Sequence, residues 1–321
     1  MNSIQAKAYI DERQRLGREF VDAGRRQGAW EGIERLVTDE LYPDQSHFIY
    51  ELLQNAEDAG ATRIQFELHA DGLTVTHNGT RLFSRDDVTG ITSIGQSQKR
   101  EEVNKIGKFG VGFKSVFAYT KAPCIKSGAF SFSIRDLVVP AWTGQNDHTD
   151  TKDTAFILPF DRESKSVSQC FKEIATGLDG LPASTILFLR SLNEISWVIS
   201  RNRSGFIKKE PADGVLPVQD SLCQVLGIAC QASDGNFEKT LWLRFEALLD
   251  ERKDLTCSIA FLLGAKPRKD ADSEQDELPG AETKPGPVGI LPLPEAGLLH
   301  IYGSSAESVW NLSRERTVNV A

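Results

Sequence analysis

The fold of this chain is decided by ELLQNAEDA at residues 51–59 and by IGKFGVGFKS at residues 106–115. At about 100° per residue, a helix through the first stretch carries Glu51, Asn55 and Asp58 on one face. The opposite face carries four apolar side chains, Ile49, Leu52, Leu53 and Ala56. We therefore expect this helix to pack with one face and to present oxygen atoms with the other. An amphipathic surface helix with solvated polar residues is the alternative.

The second stretch places three glycines in a loop that leads into a predicted helix from about Gly112 to Tyr119. Bare backbone N–H groups in such a loop can approach anionic oxygen atoms, and the helix N-terminus adds a favourable dipole. The stretch is not a Walker A loop, because Phe113 follows Gly112 where that motif requires lysine. A structural turn is the alternative, and the helix that precedes this loop along the chain favours a phosphate site instead.

Hydrophobic periodicity predicts further helices and a hairpin around these stretches. Residues 4–41 read as two helices, and Asp71-Gly72 makes the turn of a β-hairpin. Residues 84–91 read as a short helix capped by a serine. The chain from residue 90 to residue 105 is polar and contains glycine, which suits a movable lid.

Alternating patterns predict strands near residues 129–135, 154–160 and 185–190. Beyond them, EISWVIS, KTLWLRFEAL and TCSIAFLLG are three strand-like runs separated by polar turns. The charged, proline-rich stretch 265–289 predicts a flexible loop. These patterns divide the chain into three predicted segments: N-terminal helices in residues 1–41, a domain of helices and strands in residues 42–190, and a β-rich domain in residues 191–321.

Taken together, the two stretches resemble the GHKL ATPase superfamily of gyrase, the ninety-kilodalton heat-shock chaperone, histidine kinases and MutL. ELLQNAEDA follows the superfamily's E-L-x-x-N-A-x-D-A helix, and IGKFGVGFKSVF is similar to the I-G-x-F-G-V-G-F box of the chaperone-like, sacsin-like branch. The resemblance covers roughly residues 30–190. It implies an α+β Bergerat fold, a two-layer α/β sandwich in which helices cover a mixed, mostly antiparallel sheet, followed by a smaller β-rich domain.

The resemblance also implies a site for ATP and Mg²⁺. It makes Glu51 the general base and Asn55 the magnesium ligand, roles that a carboxylate and an amide oxygen can fill. The other implied contacts are Asp58 on the helix, Ser97 and Lys99 in the lid, Gly107, Phe109, Gly110, Val111, Gly112, Phe113 and Lys114 around the phosphates, and the Thr154 hydroxyl beside the base.

The chain departs from the family at the adenine end of this site. The family usually has a D-x-G aspartate that accepts a hydrogen bond from the exocyclic amino group of adenine, whereas this chain has His77-Asn78-Gly79. Alternation along the strand directs His77 to the buried side and Asn78 to the other. A neutral imidazole can accept one hydrogen bond, so we expect His77 to read the base and binding to weaken as it protonates. Alternatively, neighbouring backbone satisfies His77, and Asn78 or water reads the base.

The function that follows from the resemblance is slow ATP hydrolysis in a chaperone-like cycle. Lid closure over ATP and Mg²⁺ would change the shape of the module or its self-association into a homodimer, with a protein client or a C-terminal effector as partner. Histidine kinases do not use a helix glutamate to activate water, so the presence of Glu51 favours hydrolysis over phosphotransfer. Two alternatives stay open: a non-hydrolysing nucleotide-sensing interaction module, and a MutL-like ATPase that acts on nucleic acid. The net charge of -8 disfavours a nucleic-acid partner.

Composition argues against several other classes of protein. Hydrophobic residues make up 40% of the chain and charged residues 26%, as is typical of soluble globular proteins. The sequence has neither the about 18 apolar residues of a membrane helix nor the apolar run of a secretory signal. We therefore expect a cytoplasmic location and no membrane partner. The five cysteines contain no CxxC pair, which argues against a zinc site.

Overall fold

The computed structural model describes residues 1–37, 47–94, 112–144, 152–211, 223–248, 255–263 and 292–303. The chain divides into two compact units. The first is built mainly from Met1–Lys208 and also takes in Cys230–Phe237. The second is built from Lys209–Ala229 and Glu238–Tyr302. The three sequence segments that we predict, with boundaries after residues 41 and 190, stay predictions.

Helices occur in the first unit. The α-helices in the described residues are α1 (Ser3–Arg26), α2 (Trp30–Arg35), α3 (His47–Asp58), α4 (Arg85–Ile91) and α5 (Val167–Asp179). The two predicted N-terminal helices are confirmed, and α1 ends just before Gly28, whose positive φ of 68° breaks the helix. The short helix α4 is confirmed together with its Ser84 cap. The predicted helix after the glycine box is a 3-10 helix, Gly112–Ala118.

The first unit contains a mixed, mostly antiparallel sheet, as the predicted α+β class requires. Its strands are β1 (Arg63–His69), β2 (Gly72–His77), β3 (Cys124–Ser127), β4 (Phe130–Arg135), β5 (Val139–Trp142), β6 (Thr154–Pro159), β7 (Glu194–Ser200) and β8 (Arg203–Glu210). They lie in the order β8-β7-β1-β2-β6-β3-β4-β5. β1 and β7 are parallel, whereas β1 and β2 form the predicted antiparallel hairpin.

The described part of the second unit is built from strands. These are β9 (Cys223–Gln231), β10 (Phe237–Leu248), β11 (Leu255–Leu263) and β12 (Pro292–Gly303), in the order β12-β11-β10-β9. The last two residues of β9 belong to the first unit. β10 and β11 pair antiparallel, with Leu241 opposite Leu263. The three strand-like runs of the sequence are therefore confirmed as β7, β10 and β11. The predicted flexible loop at residues 265–289 lies outside the described residues.

The core of the first unit explains the sequence periodicities. In the hairpin, Phe66 lies opposite Val75, and both side chains are buried. Burying a side chain of this size contributes about 1.5 to 3 kcal/mol, so the alternation fixes which face of each strand is inside. α3 buries five apolar side chains, Phe48, Ile49, Leu52, Leu53 and Ala56. This packing positions α3 and the end of β2, which carry the predicted site residues.

The predicted strand near residues 185–190 is wrong. Residues Ala183–Ile186 form a 3-10 helix that follows Pro182. The backbone N–H groups of Arg190, Ser191 and Leu192 donate to the Glu57 carboxylate instead of to a neighbouring strand. The apolar run in this segment is buried by tertiary packing, so its periodicity could not distinguish a strand from a short buried turn.

Within the described residues, the structure has no helix both long enough and apolar enough to span a bilayer.

Candidate functional site

The polar face of α3 carries the residues predicted to act on phosphates. Glu51, Asn55 and Asp58 are all half-buried, while the opposite face of the helix is buried. This arrangement confirms that α3 packs with one face and leaves oxygen atoms on the other. The Glu51 Oε1 atom lies 3.1 Å from Nε2 of His47, one helical turn earlier. The imidazole thereby restricts the orientation of the carboxylate.

The Glu51 carboxylate also lies directly against Gly112, the last glycine of the glycine box. A Cβ atom added to Gly112 would overlap Cδ and both oxygen atoms of Glu51. Glycine leaves room for the carboxylate in this position, so the reason for a glycine here is space and not a positive φ. The two stretches of sequence that decide the fold therefore meet at one point, where the predicted general base contacts the start of the 3-10 helix.

The other two polar groups of this helix face differ in their contacts. The Asn55 side chain makes no hydrogen bond to any described residue, so its amide oxygen is available as a ligand. Near the end of α3, the backbone oxygen of Asp58 accepts a hydrogen bond of 3.4 Å from Arg81 Nε. Arg81 also lies 3.2 Å from Asp87 of α4. The Arg81 side chain thus links the end of α3 to α4.

His77 lies at the end of β2, on the buried side that strand alternation predicts, and only 3% of the residue is exposed. Its Nδ1 accepts a hydrogen bond of 3.1 Å from the backbone N–H of Gly79. Burial lowers the pKa of His77 to about 4, although the nearby Asp153 acts in the opposite direction. The ring is therefore neutral at mildly acidic pH, and we no longer expect its protonation to weaken nucleotide binding there.

The depressed pKa of His77 predicts an acid-sensitive fold. Below its ordinary pKa of 6.5, the unfolded chain binds a proton that the folded chain does not bind until about pH 4. The contribution of the neutral His77 ring to stability is therefore fully present above pH 6.5. As the pH falls toward 4, the free energy of unfolding decreases by about 2 to 3 kcal/mol. Urea unfolding at pH 7 and pH 4.5 should show this loss in wild type and a smaller one in His77→Asn. The exposed His69→Asn is the matched control, and equal losses in wild type and His77→Asn would contradict the prediction.

Asn78 and Gly79 hold the turn that follows β2. The Asn78 Oδ1 atom accepts hydrogen bonds of 2.9 Å from the N–H groups of both Thr62 and Arg63, and its Nδ2 donates to the Thr62 hydroxyl. The Asn78 side chain therefore binds the start of β1. A Cβ on Gly79 would lie 2.7 Å from Cβ of Ala59 and 2.9 Å from Nδ1 of His77. Glycine is thus required where this turn approaches the end of α3.

Two buried hydroxyl groups lie beside His77 in the sheet. Thr154 of β6 is the cross-strand partner of His77, and its Oγ1 lies 2.6 Å from Oγ of Ser127 in β3. The Ser127 oxygen also accepts a hydrogen bond of 3.0 Å from the Phe83 N–H. The ring of Phe156 lies next to His77, with 6.1 Å between the ring centroids. His77 thus lies between a buried hydroxyl pair and an aromatic ring.

Lys114 is directed into the protein interior. Its ammonium group is fully buried and donates hydrogen bonds to the backbone oxygen atoms of Ile91 and Leu137. Burial lowers the pKa of Lys114 to about 7. The tight 3-10 turn places this side chain opposite α4 and the β4–β5 turn, a direction that the linear motif could not indicate. Phe113 is buried as well, and its ring packs on Phe156, with centroids 5.7 Å apart.

Helix α1 is hydrogen-bonded to α4 and to the residue that follows α4, at the start of the predicted lid. The Tyr9 hydroxyl lies 2.6 Å from the Thr89 hydroxyl, and Arg13 donates to the Thr92 hydroxyl at 3.2 Å. α1 also lies against β5. The predicted lid and glycine-box residues Ser97, Lys99, Gly107, Phe109, Gly110 and Val111 lie outside the described residues.

Sequence reasoning missed two residues of this site. His47 is not among the predicted site residues, although its spacing of four residues before Glu51 places the two side chains on neighbouring turns. That spacing was the signal that could have identified it. Ser127 had no such signal, because its contact with Thr154 depends on the pairing of β3 with β6. Neither strand indicates this pairing by its own sequence.

Comparison with known proteins identifies relatives of part of this chain. Residues 67–176 match the family model of the Sacsin domain. Human Sacsin is 36% identical over 129 residues, which cover 35% of this chain and 3% of that protein. Protein NO VEIN of Arabidopsis thaliana is 39% identical over 101 residues, covering 30% of this chain and 4% of that protein. Chaperone protein HtpG of Vibrio campbellii is 27% identical over 168 residues, covering 40% of this chain and 26% of that protein.

These similarities are confined to a segment of each protein. The chain spans between 3% and 26% of the length of these relatives. The matched family segment runs from β1 into α5, so it includes His77, Gly112 and Thr154. The resemblance to sacsin-like proteins is thereby supported over this segment, which is similar to the Sacsin domain, and part of the chain is more distantly similar to a chaperone protein.

Proposed function

We propose that this chain binds ATP with Mg²⁺ through a Bergerat-type domain and hydrolyses it slowly. The observation that carries the proposal is the contact between the Glu51 carboxylate and the Gly112 backbone. It joins a candidate general base to the end of a glycine-rich loop, which is an arrangement suited to a water molecule next to a terminal phosphate. The similarity to Chaperone protein HtpG supports the same reading.

Hydrolysis requires a water oxygen to bond to the γ-phosphorus while the bond to the β,γ-bridging oxygen breaks and ADP leaves. In our proposal Glu51 accepts the proton of that water, and His47 holds the carboxylate in place through the 3.1 Å contact. The backbone N–H groups of the glycine box would bind the phosphate oxygens. Lys114 has no part in this step, because its ammonium group is held by carbonyl oxygens in the interior.

The Asn55 amide fits the role of a magnesium ligand. Mg²⁺ prefers oxygen ligands and takes few of them from a protein, because it keeps several waters and binds phosphate oxygens. Asn55 is half-buried on the same helix face as Glu51, and its side chain makes no hydrogen bond to the described residues. When bound, the ion would neutralise charge that develops on the phosphates.

The bonds between α1 and α4 support a conformational role for nucleotide binding. Tyr9 and Arg13 hold α4 at the point where the predicted lid begins. In our proposal, lid closure over ATP changes this end of the module, and with it self-association into a homodimer or contact with a protein client. This is the chaperone-like part of the proposed function.

A steady-state phosphate-release assay on wild type and Glu51→Gln tests the proposal. We expect the variant to lose hydrolysis by about 100-fold or more, because removal of a general base costs this much. Binding of a non-hydrolysable ATP analogue with Mg²⁺ should stay within a few-fold of wild type. Glu12→Gln, an exposed change on α1, is the matched control and should hydrolyse ATP like wild type.

The binding measurement separates hydrolysis from recognition. A wild type that binds the analogue but releases no more phosphate than Glu51→Gln would refute hydrolysis and support the nucleotide-sensing alternative. A wild type that binds no nucleotide would refute the proposed site.

A further inference from the structure

The buried ammonium group of Lys114 joins two segments that are distant from each other in sequence. Its Nζ donates to the backbone oxygen of Ile91, the last residue of α4, and to that of Leu137, in the turn between β4 and β5. None of the Lys114 side chain is exposed. Burying a charge is costly, and an apolar side chain at this position would avoid the cost. The charge therefore indicates a role in holding its two acceptors.

The turn that carries Leu137 is strained. Asp136 and Leu137 have φ angles of 44° and 60°, so two consecutive residues other than glycine lie in the left-handed region. Such strain persists only where the surrounding structure holds the backbone in place. Lys114 holds the turn from the interior through the Leu137 oxygen. At the surface, Arg25 of α1 holds it through the Asp136 carboxylate, at 2.8 Å.

Helix α1 also packs directly on this turn and on the start of β5. A Cβ atom added to Gly17 would lie 2.8 Å from the backbone oxygen of Val138 and 3.2 Å from Cα of Val139. Both atoms belong to the backbone, so they cannot rotate away as the end of a side chain could. A methyl group at Gly17 would have to displace the turn or the helix. The position of the turn therefore depends on α1.

The contact between Gly112 and Glu51 lies at the other side of Lys114. Lys114 follows Gly112 by two residues in the same 3-10 helix, and the Ser115 hydroxyl donates to the Gly112 backbone oxygen at 2.6 Å. This tight turn leaves little freedom between the Lys114 backbone and Gly112. A fixed Lys114 side chain thus restricts the backbone that faces the Glu51 carboxylate.

We infer that Lys114 is a positioning residue, which holds the Gly112 backbone against Glu51 and connects this contact through the β4–β5 turn to α1. The inference rests on the proposed function, in which Glu51 is the general base. Lys114 transfers no proton and binds no phosphate, because its ammonium group is occupied by carbonyl oxygens. It acts through Gly112, so a change where α1 meets the turn reaches the site.

A double-mutant cycle between Gly17→Ala and Lys114→Met tests this connection. Lys114→Met keeps an unbranched apolar side chain and removes the donors. Each single change should slow phosphate release at saturating ATP by about tenfold, because small displacements at a reacting centre cost this much. Affinity for a non-hydrolysable ATP analogue with Mg²⁺ should stay within about threefold. The double variant should be no slower than Lys114→Met alone, whereas independent effects would multiply to about 100-fold.

Two matched controls accompany the cycle. Gly32→Ala is the control for Gly17→Ala, because a Cβ added at this position in α2 would meet no atom within 4 Å. Lys172→Met, which removes an exposed lysine from α5, is the control for Lys114→Met. Both should release phosphate like wild type, and thermal unfolding shows whether each variant is folded. Arg25→Ala removes only the surface bond to the turn and replaces Gly17→Ala if that variant unfolds.

Hydrogen exchange measures the connection without nucleotide and without Lys114→Met. In Gly17→Ala, amides of the 3-10 helix Gly112–Ala118 should exchange about tenfold faster than the change in global stability accounts for. Amides of α5 should follow the global change alone. In a folded Lys114→Met background, Gly17→Ala should add nothing to exchange in the 3-10 helix.

The outcomes separate this inference from the proposed function. A folded Gly17→Ala with unchanged phosphate release and unchanged exchange in the 3-10 helix would overturn the inference and leave the proposed function standing. Losses of phosphate release that multiply in the double variant would overturn it as well. The expected changes in exchange, found in a wild type that releases no phosphate, would support positioning by Lys114 and refute the proposed hydrolysis.

Discussion

Replacement of Gly112 by alanine is expected to reduce ATP hydrolysis by about 100-fold or more while the protein stays folded. A Cβ at this position would overlap the Glu51 carboxylate. The carboxylate is the far end of a flexible side chain, so it can rotate away and the backbone need not move. That rotation breaks the 3.1 Å contact with His47 and removes the proposed general base from its position. A phosphate-release assay measures the loss of hydrolysis, and thermal unfolding shows whether the variant is folded.

Gly32→Ala is the matched control for Gly112→Ala, because Gly32 lies outside the predicted lid. Gly32 lies within α2, and a Cβ added there would meet no atom within 4 Å. Alanine is the better helix former by about 1 kcal/mol, so this control should be as stable as wild type or more so, and should hydrolyse ATP normally. Unchanged hydrolysis in Gly112→Ala would mean that the position of the Glu51 carboxylate does not matter for the reaction. The role proposed for Glu51 would then be wrong.

The parts of the structure that depend on local periodicity could be predicted from the sequence. Side chains at helical spacing fixed which face of α3 is buried, and alternation fixed the hairpin with Phe66 opposite Val75. The buried side of His77 followed from the same count along β2. In each case the burial of apolar surface decides the orientation, and the pattern of apolar residues is visible in the sequence.

Features that depend on a distant partner could not be predicted in this way. The ammonium group of Lys114 lies on the carbonyl oxygens of Ile91 and Leu137, each 23 residues away in sequence. Nothing in IGKFGVGFKS indicates that these acceptors exist. The hydrogen bond to the His77 ring likewise depends on the turn that brings the Gly79 N–H back onto Nδ1. Side-chain chemistry at the site is therefore determined by tertiary contacts that a linear motif does not contain.

Glu57 is a further residue of the ELLQNAEDA helix whose importance appears only in the folded chain. Its Oε1 accepts hydrogen bonds of 2.6 Å and 2.8 Å from the N–H groups of Arg190 and Ser191, and its Oε2 accepts one of 2.9 Å from Leu192. These three residues lead into β7, which pairs with β1. The helix that carries Glu51 and Asn55 is thus anchored to the central part of the sheet.

Glu57→Ala should lower the free energy of unfolding by about 4 kcal/mol, because three N–H groups lose a charged acceptor and at least two of them are partly buried. Urea unfolding at pH 7 measures this loss. Glu57→Gln retains one acceptor oxygen and should lose about half as much. Glu12→Ala removes an exposed carboxylate from α1 and should stay within about 0.5 kcal/mol of wild type.

Hydrogen exchange distinguishes the anchoring role of Glu57 from a general loss of stability. If the carboxylate holds this segment, the amides of Arg190, Ser191 and Leu192 should exchange faster in Glu57→Ala than the change in global unfolding accounts for. Amides of the β1–β2 hairpin should follow the global change alone. A variant with wild-type stability and unchanged exchange at these three amides would show that Glu57 does not anchor α3. The position of Glu51 would then have to depend on the apolar face of the helix and on His47.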